Sequence, residues 1–260
     1  VEAEVAVKIV ACSDAHLDWT TAGVARFDEI RDAMRAAADA AASGGADLFA
    51  FVGDLCDPDS GSVVLRCVEV AIGIATALGN CGIPTLWIAG NHDVVGDGFG
   101  TTSLSPLRAL DFHTLVAEKP ARFAWPGWSH DVIALPHVAG GVDYAAAFAE
   151  LAAQQSKRSL VVFSHLTIPG IDPGEETNEM PRGAERALPI RQIATNAAVV
   201  VSGHYHERGV YRLDAGAQRV FEGPPTTNGF GETSLYVVGS LARLTFGEER
   251  NRPGYLLLEV

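Results

Sequence analysis

The chain is poor in basic residues: 19 Lys and Arg stand against 32 Asp and Glu, a formal net charge of −13 over 260 residues. That balance excludes a broad basic face that coats nucleic acid without specificity. It leaves room for a local phosphate site, because a cation held by carboxylates inverts the field around it. Cysteine is equally sparse. Cys12, Cys56, Cys67 and Cys81 show no Cys-x-x-Cys spacing, so neither a thiolate metal finger nor a dithiol redox pair is expected. Buried core thiols in a reducing compartment are the simpler reading. No charged leader followed by an apolar stretch opens the chain, and no apolar run is expected to approach the roughly 18 residues of a membrane span. A soluble, cytoplasmic protein without a membrane partner is the expectation. Internal repeats, low-complexity tracts and linker-like boundaries are missing too, which favours one domain over residues 1–260.

What is present is a core-forming composition, 48% apolar, with alternating strand and helix patterns. Lys8 to Cys12 reads as a buried strand. Phe27, Ile30, Met34, Ala37 and Ala41 recur at helical spacing, with Gly44-Gly45 as the stop. Leu48 to Val52 is a second strand, Val63 to Leu78 a second helix, and Pro84 to Ala89 a third strand. This order is that of parallel crossover units, whose ligands bind beyond the carboxyl ends of the strands. After Gly100, short pieces at Thr114 to Ala117, Ala121 to Trp125 and Val132 to Leu135 suggest antiparallel hairpins. A helix from Tyr144 to about Gln154 then leads to the strand Leu160 to Phe163. Thr167 to Arg186 is polar and rich in Gly, Pro and Glu, and reads as a substrate-side loop. Val199 to Val201, Val210 to Leu213, Leu235 to Val238 and Tyr255 to Val260 complete the strands. The fold class expected is α/β: a four-layer α-β-β-α sandwich of two mixed β-sheets flanked by helices.

Five segments carry chemistry: Asp14-Ala15-His16, Gly53-Asp54, Gly90-Asn91-His92-Asp93, Ser164-His165 and Gly203-His204-Tyr205-His206. Each comes directly after a strand-like run, and together they use five of the chain's eight histidines. Alone, none is decisive. Gly53-Asp54 reads as an ordinary turn, His165 as a structural histidine, and Gly203 to His206 as an exposed loop. Their order and common placement at strand ends favour a shared metal site instead. Carboxylate, imidazole and amide oxygen donors, without thiolate, suit a hard to borderline divalent ion with open positions. Two such ions can activate water and stabilise an in-line phosphoryl transition state.

In these segments the chain resembles the calcineurin-like metallophosphoesterases over nearly its whole length. The resemblance implies that Asp14, His16, Asp54 and His206 hold one ion. Asp54 bridges to the second, held also by Asn91, His165 and His204. It makes His92 the catalytic residue, a general acid beside the scissile phosphate, with Asp93 either orienting it or serving structure alone. It also implies two divalent metal ions, Mn2+ first, with Zn2+, Fe2+ or Ni2+ able to replace it.

The tail from Gly239 to Glu249, followed by Pro253-Gly254-Tyr255, resembles the end of the nuclease domain of SbcD-type DNA double-strand-break repair exonucleases. Asp54-Leu55-Cys56-Asp57 resembles a stretch of the same group, with Cys56 where that group has an aromatic residue. DNA is then the implied substrate. Arg243 is a candidate phosphate contact or, equally, a surface arginine paired with Glu248 or Glu249. An SbcC-type ATPase is a partner of that group, yet no capping or ATPase-docking domain is expected here, since the chain stops at Val260. The helix carrying Val64, Val68, Ile72 and Ala75 falls where the resemblance places a dimer interface, so a homodimer is a further expectation. The alternative substrate is a cyclic nucleotide or another small phosphoester.

Overall fold

The computed structural model describes residues 6–95, 100–110, 113–125, 128–154, 158–171, 187–214, 219–222 and 233–260. In chain order its elements are β1 (Lys8–Cys12), β2 (Thr20–Thr21), β3 (Val24–Ala25), α1 (Phe27–Gly44), β4 (Leu48–Val52), α2 (Val63–Asn80), β5 (Thr85–Ile88), β6 (Thr114–Ala117), β7 (Ala121–Ala124), β8 (His130–Leu135), α3 (Tyr144–Ala152), β9 (Ser159–Ser164), α4 (Ile190–Ala194), β10 (Ala197–Ser202), β11 (Gly209–Asp214), β12 (Arg219–Glu222), β13 (Thr233–Val237) and β14 (Leu256–Glu259).

Strands buried on both faces read as unbroken apolar runs, and successive side chains leave them by opposite faces. Ile9, Ala11, Leu48, Ala50 and Val52 therefore share one core with Val132, Ala134, Val161, Phe163 and Val201 of a second sheet. Val10, Cys12, Phe49 and Phe51 point the other way, onto Ile30, Met34 and Ala37 of α1 and Val70, Ala71 and Ile74 of α2. A third cluster seats Tyr144 and Phe148 of α3 and Ile190 and Ile193 of α4 against Ile133, Val162 and Val200. The layers run helix, sheet, sheet, helix, as the sequence pattern predicts.

The first sheet has the order β14-β1-β4-β5-β6 and the second β12-β11-β13-β10-β9-β8-β7. Strands β1, β4, β5 and β6 are mutually parallel, with β14 antiparallel at the edge. In the second sheet β8, β9, β10 and β13 are parallel, while β7, β11 and β12 run against their neighbours. One expectation needs correcting. Of the three strands expected to form hairpins after Gly100, only β7 and β8 do so, and β6 extends the first sheet in parallel. Pro120, which has no N–H to give to a ladder, lies between β6 and β7 where the chain leaves one sheet for the other. Glu118 receives Thr102 Oγ1 and Arg108, holding the chain where it passes from one sheet to the other.

A second correction concerns α2. Its 18 residues have a mean hydropathy of 1.6, so by length and composition it is apolar enough to cross a membrane. Here Cys67, Val70, Ala71, Ile74, Ala75 and Leu78 are buried on the sheet. Val64 and Ile72, two of the residues placed at a dimer interface, pack in part against the same core. The expected substrate-side loop lies outside the described residues from 172 to 186.

Candidate metal centre

Parallel strands bring the residues just past their carboxyl ends to one edge of a sheet, the place where α/β folds bind ligands. β1, β4 and β5 lead to Asp14, Asp54 and Asn91, while β9 and β10 lead to His165 and His204. The two edges meet. Asp54 Oδ2 lies 3.6 Å from His16 Nε2 and 3.1 Å from His165 Nε2, between the two imidazoles. Donor atoms of Asp14, His16 and His206 all lie within 4.8 Å of one another, and so do those of Asp14, Asp54 and His165. His204 Nδ1 is 3.0 Å from Asn91 Oδ1, and the His204 backbone N–H donates to Asp14 Oδ1 at 3.1 Å. Five of the seven expected ligands thus fall in two donor groups that share Asp14, with Asp54 in one of them, and Asn91 and His204 adjoin these through the His204 N–H to Asp14. His92 stands at the rim, its ring centroid 4.9 Å from that of His16 and its backbone N–H donating to Asp54 Oδ1 at 2.9 Å.

The backbone is strained at these positions. Asp14, His16, Asp54 and His204 have φ of 50°, 44°, 61° and 78°, and they are four of the five non-glycine residues with positive φ among those described. Each such residue costs on the order of 1–3 kcal/mol and is kept where the surroundings, and commonly function, require it. Two glycines make the close packing feasible. A Cβ on Gly53, itself at φ +95°, would lie 2.0 Å from His165 Nδ1, and one on Gly90 would lie 2.1 Å from Asp54 Oδ1. The Gly-Asp and Gly-Asn pairs are therefore steric requirements of the site.

Hydrogen bonds orient the donors. His165 Nδ1 faces the Val52 carbonyl at 2.6 Å, and Ser13 Oγ donates to the same oxygen. A carbonyl only accepts, so Nδ1 carries the hydrogen and Nε2 is turned toward Asp54. Asp93 is buried and accepts the backbone N–H groups of Asp54, Leu55 and Gly90 at 2.8–2.9 Å, plus Ser103 Oγ at 2.6 Å. Its carboxylate thus shapes the loops carrying Asp54 and Asn91, the structural role among the two considered for it. Asp93→Ala is expected to leave three buried N–H groups without acceptors, a loss of at least about 3 kcal/mol at roughly 1–3 kcal/mol each. Thermal unfolding checks this, and an unchanged melting temperature would contradict it.

Of the donor atoms, Asp14 Oδ2 and His16 Nε2 are buried without a hydrogen-bond partner, and His165 Nε2 is buried with only the Asp54 carboxylate 3.1 Å away, so three are left for a cation to satisfy. Such groups are costly unless something satisfies them, and a divalent cation coordinated by carboxylate and imidazole satisfies all three. The electrostatics agree. Burial lowers His16 and His204 to about 3, keeping both imidazoles neutral and free to donate a lone pair. Burial alone would raise Asp54, but His165, through its charge and its hydrogen bond, outweighs it and holds the carboxyl well below its usual range. Burial raises Asp14 to about 6 despite His165 and His206 nearby. His165 is raised to about 9, because attraction to Asp54 overcomes burial. A cation held here would take the place of that proton.

Residues 7–208 match the family described as calcineurin-like phosphoesterase. The chain belongs to that family. Solved structures share the fold of this calcineurin-like phosphoesterase. A dimetal phosphatase from Danio rerio is 11% identical, with 90% of this chain and 87% of that one covered and a TM-score of 0.52. TT1561 of Thermus thermophilus is 15% identical, with 90% of each chain covered and a TM-score of 0.52. No curated protein sequence matches. Family membership and the two donor groups together suggest a metal-dependent hydrolase with two divalent metals.

Three residues near the site were not singled out from the sequence. Ser103 supports Asp93. His137 is close enough to His204 for its charge to lower the latter's pKa. Glu248, considered only as a partner for Arg243, instead contacts His206 Nδ1 at 2.9 Å. Arg243 donates its Nε–H to the Asn251 carbonyl. Because Glu248 sits in the charged run Glu248-Glu249-Arg250, nothing in the order of residues signals that one of the three is buried.

Proposed function

We propose that this calcineurin-like phosphoesterase is a binuclear metal-dependent phosphodiesterase acting on DNA, of the SbcD type. Asp14, His16, Asp54 and His206 would hold one ion, and Asp54, Asn91, His165 and His204 the other, with Asp14 close to both. The bound ions, Mn2+ by resemblance, would activate water and stabilise the charge of an in-line displacement. His92, at the rim beside His16, would protonate the leaving oxygen. Asp54 aligns it by accepting its backbone N–H.

The observation that carries the choice of DNA is the position of the tail. Ser240 forms a parallel bridge with Ser13, one residue before Asp14, and its N–H donates to the His206 carbonyl at 3.1 Å. The Leu244 carbonyl accepts Trp19 Nε1 at 2.8 Å. The SbcD-like segment is thus attached to the metal centre. It leaves Phe246 81% exposed and Arg243 exposed beside it. An exposed aromatic ring and a guanidinium suit base stacking and phosphate contact on a single strand.

The acidic net charge of −13 favours a second reading, a phosphodiesterase for cyclic nucleotides or other small phosphoesters. Incubation with Mn2+ and single-stranded DNA, duplex DNA, cyclic nucleotides and an aryl phosphodiester separates the two. Cleavage of DNA is expected. Brisk hydrolysis of the small diesters with every DNA left intact would overturn the DNA assignment.

A further inference from the structure

Two of the imidazoles at the centre, His165 and His206, have a ring nitrogen tied to an acceptor outside the expected ligand set. His165 uses the backbone carbonyl of Val52, whereas His206 uses a side chain 42 residues further along the chain, Glu248. That residue lies in the short 3-10 turn Phe246–Arg250, beyond position 208 where the family match ends. Glu248 is 1% exposed although Glu249 and Arg250 beside it are exposed. Burying a carboxylate is costly unless its oxygens are satisfied, and both are. Oε1 lies 2.9 Å from His206 Nδ1, and Oε2 accepts the Leu244 N–H at 2.8 Å. An ionised carboxylate only accepts, so Nδ1 carries the hydrogen and Nε2 keeps its lone pair. That leaves Nε2 as the donor His206 offers to the group it forms with Asp14 and His16.

We propose that Glu248 is a positioning residue of the metal centre. It fixes the tautomer and ring orientation of His206 and so makes the affinity of one of the two ions depend on the C-terminal turn. The proposal rests on the two-metal reading of the site, but not on DNA as substrate.

The test is titration of the full, chelator-stripped chain with Mn2+, following number of ions and affinities by calorimetry and by the spin resonance of the bound ion. The wild type should take up two ions. In Glu248→Ala one of the two should bind about 10- to 100-fold more weakly, the usual effect of losing a partner of a metal-ligating histidine. The other should stay within about twofold. Glu248→Gln retains an oxygen for Nδ1–H and should lose less affinity than Glu248→Ala at the same ion. Thr21→Val removes a hydroxyl that donates to the Leu244 carbonyl. It perturbs Leu244, just before the turn, without touching the Glu248 to His206 contact, and should leave both affinities unchanged.

Two ions in the wild type with both affinities unchanged in Glu248→Ala would overturn the proposal alone. Equal weakening of both ions in Glu248→Ala and Thr21→Val would overturn it too, by assigning Glu248 a general structural role. If Glu248→Ala does not fold, Glu248→Met, which keeps the length of the side chain and removes both oxygens, decides: selective weakening of one ion supports the proposal, and no change refutes it. A wild-type protein that takes up no Mn2+ would overturn the metal reading along with it.

Discussion

Replacing Asp54 with asparagine is expected to deplete both metal ions and to lower hydrolysis of any phosphodiester by at least about a hundredfold. The carboxylate lies between His16 and His165, with Oδ2 3.6 Å from one Nε2 and 3.1 Å from the other, so it faces an imidazole of each half of the centre. Asparagine has nearly the same shape but presents one neutral oxygen. It cannot offer a negative charge to two cations, and its amide nitrogen directs hydrogens toward one of them. The protonation of His165 depends on that charge as well, because it is the attraction of Asp54 that raises His165 to about 9. Asp54 also contacts His92, the acid proposed above, since its Oδ1 accepts the His92 backbone N–H. Elemental analysis after dialysis, with circular dichroism to verify folding, checks the outcome. Two ions retained at wild-type affinity would show that Asp54 is not the bridge.

His92→Ala should give the opposite pattern: both ions retained and turnover lowered about 10²- to 10⁴-fold, the usual contribution of a positioned general acid. The separation comes from geometry. His92 is in edge contact with the His16 ring, but neither donor group contains it. If His92 protonates the leaving oxygen, the loss should be large for DNA, whose leaving alkoxide is basic. It should be small for an aryl diester, whose phenolate leaves without help. Comparison of kcat for the two substrates is the check. An equal loss on both would assign His92 to stabilising phosphate charge, and loss of an ion would make it a ligand.

Sequence pattern was most informative where local preference and global fold impose the same constraint. β1 and β4 had to be buried strands because their apolar runs are unbroken. A ligand at the end of such a run is carried to the sheet edge whatever the details of packing, so Asp14, Asp54 and His165 were legible. Directions of side chains were less so. Asp93 comes directly after His92, yet its carboxylate turns inward to three backbone N–H groups. Nothing in the order of letters distinguishes that from a carboxylate facing His92. Glu248 was hidden for a related reason, since a run of charged residues reads as a solvated face and only tertiary packing buries one member. The parallel placement of β6 and the depth of α2 in the core also depend on long-range contacts. The positive φ of His16 and His204 is a cost imposed by the assembled site, which local propensity alone does not foresee.

The most direct test of a binuclear hydrolytic centre is the rate of hydrolysis of an aryl phosphodiester by chelator-stripped protein as Mn2+ is added in measured equivalents. The arrangement of Asp14, His16, Asp54, Asn91, His165, His204 and His206 predicts no turnover without metal and a plateau at two ions per chain. Turnover that does not depend on metal, or protein that takes up no ion while folded, would contradict it.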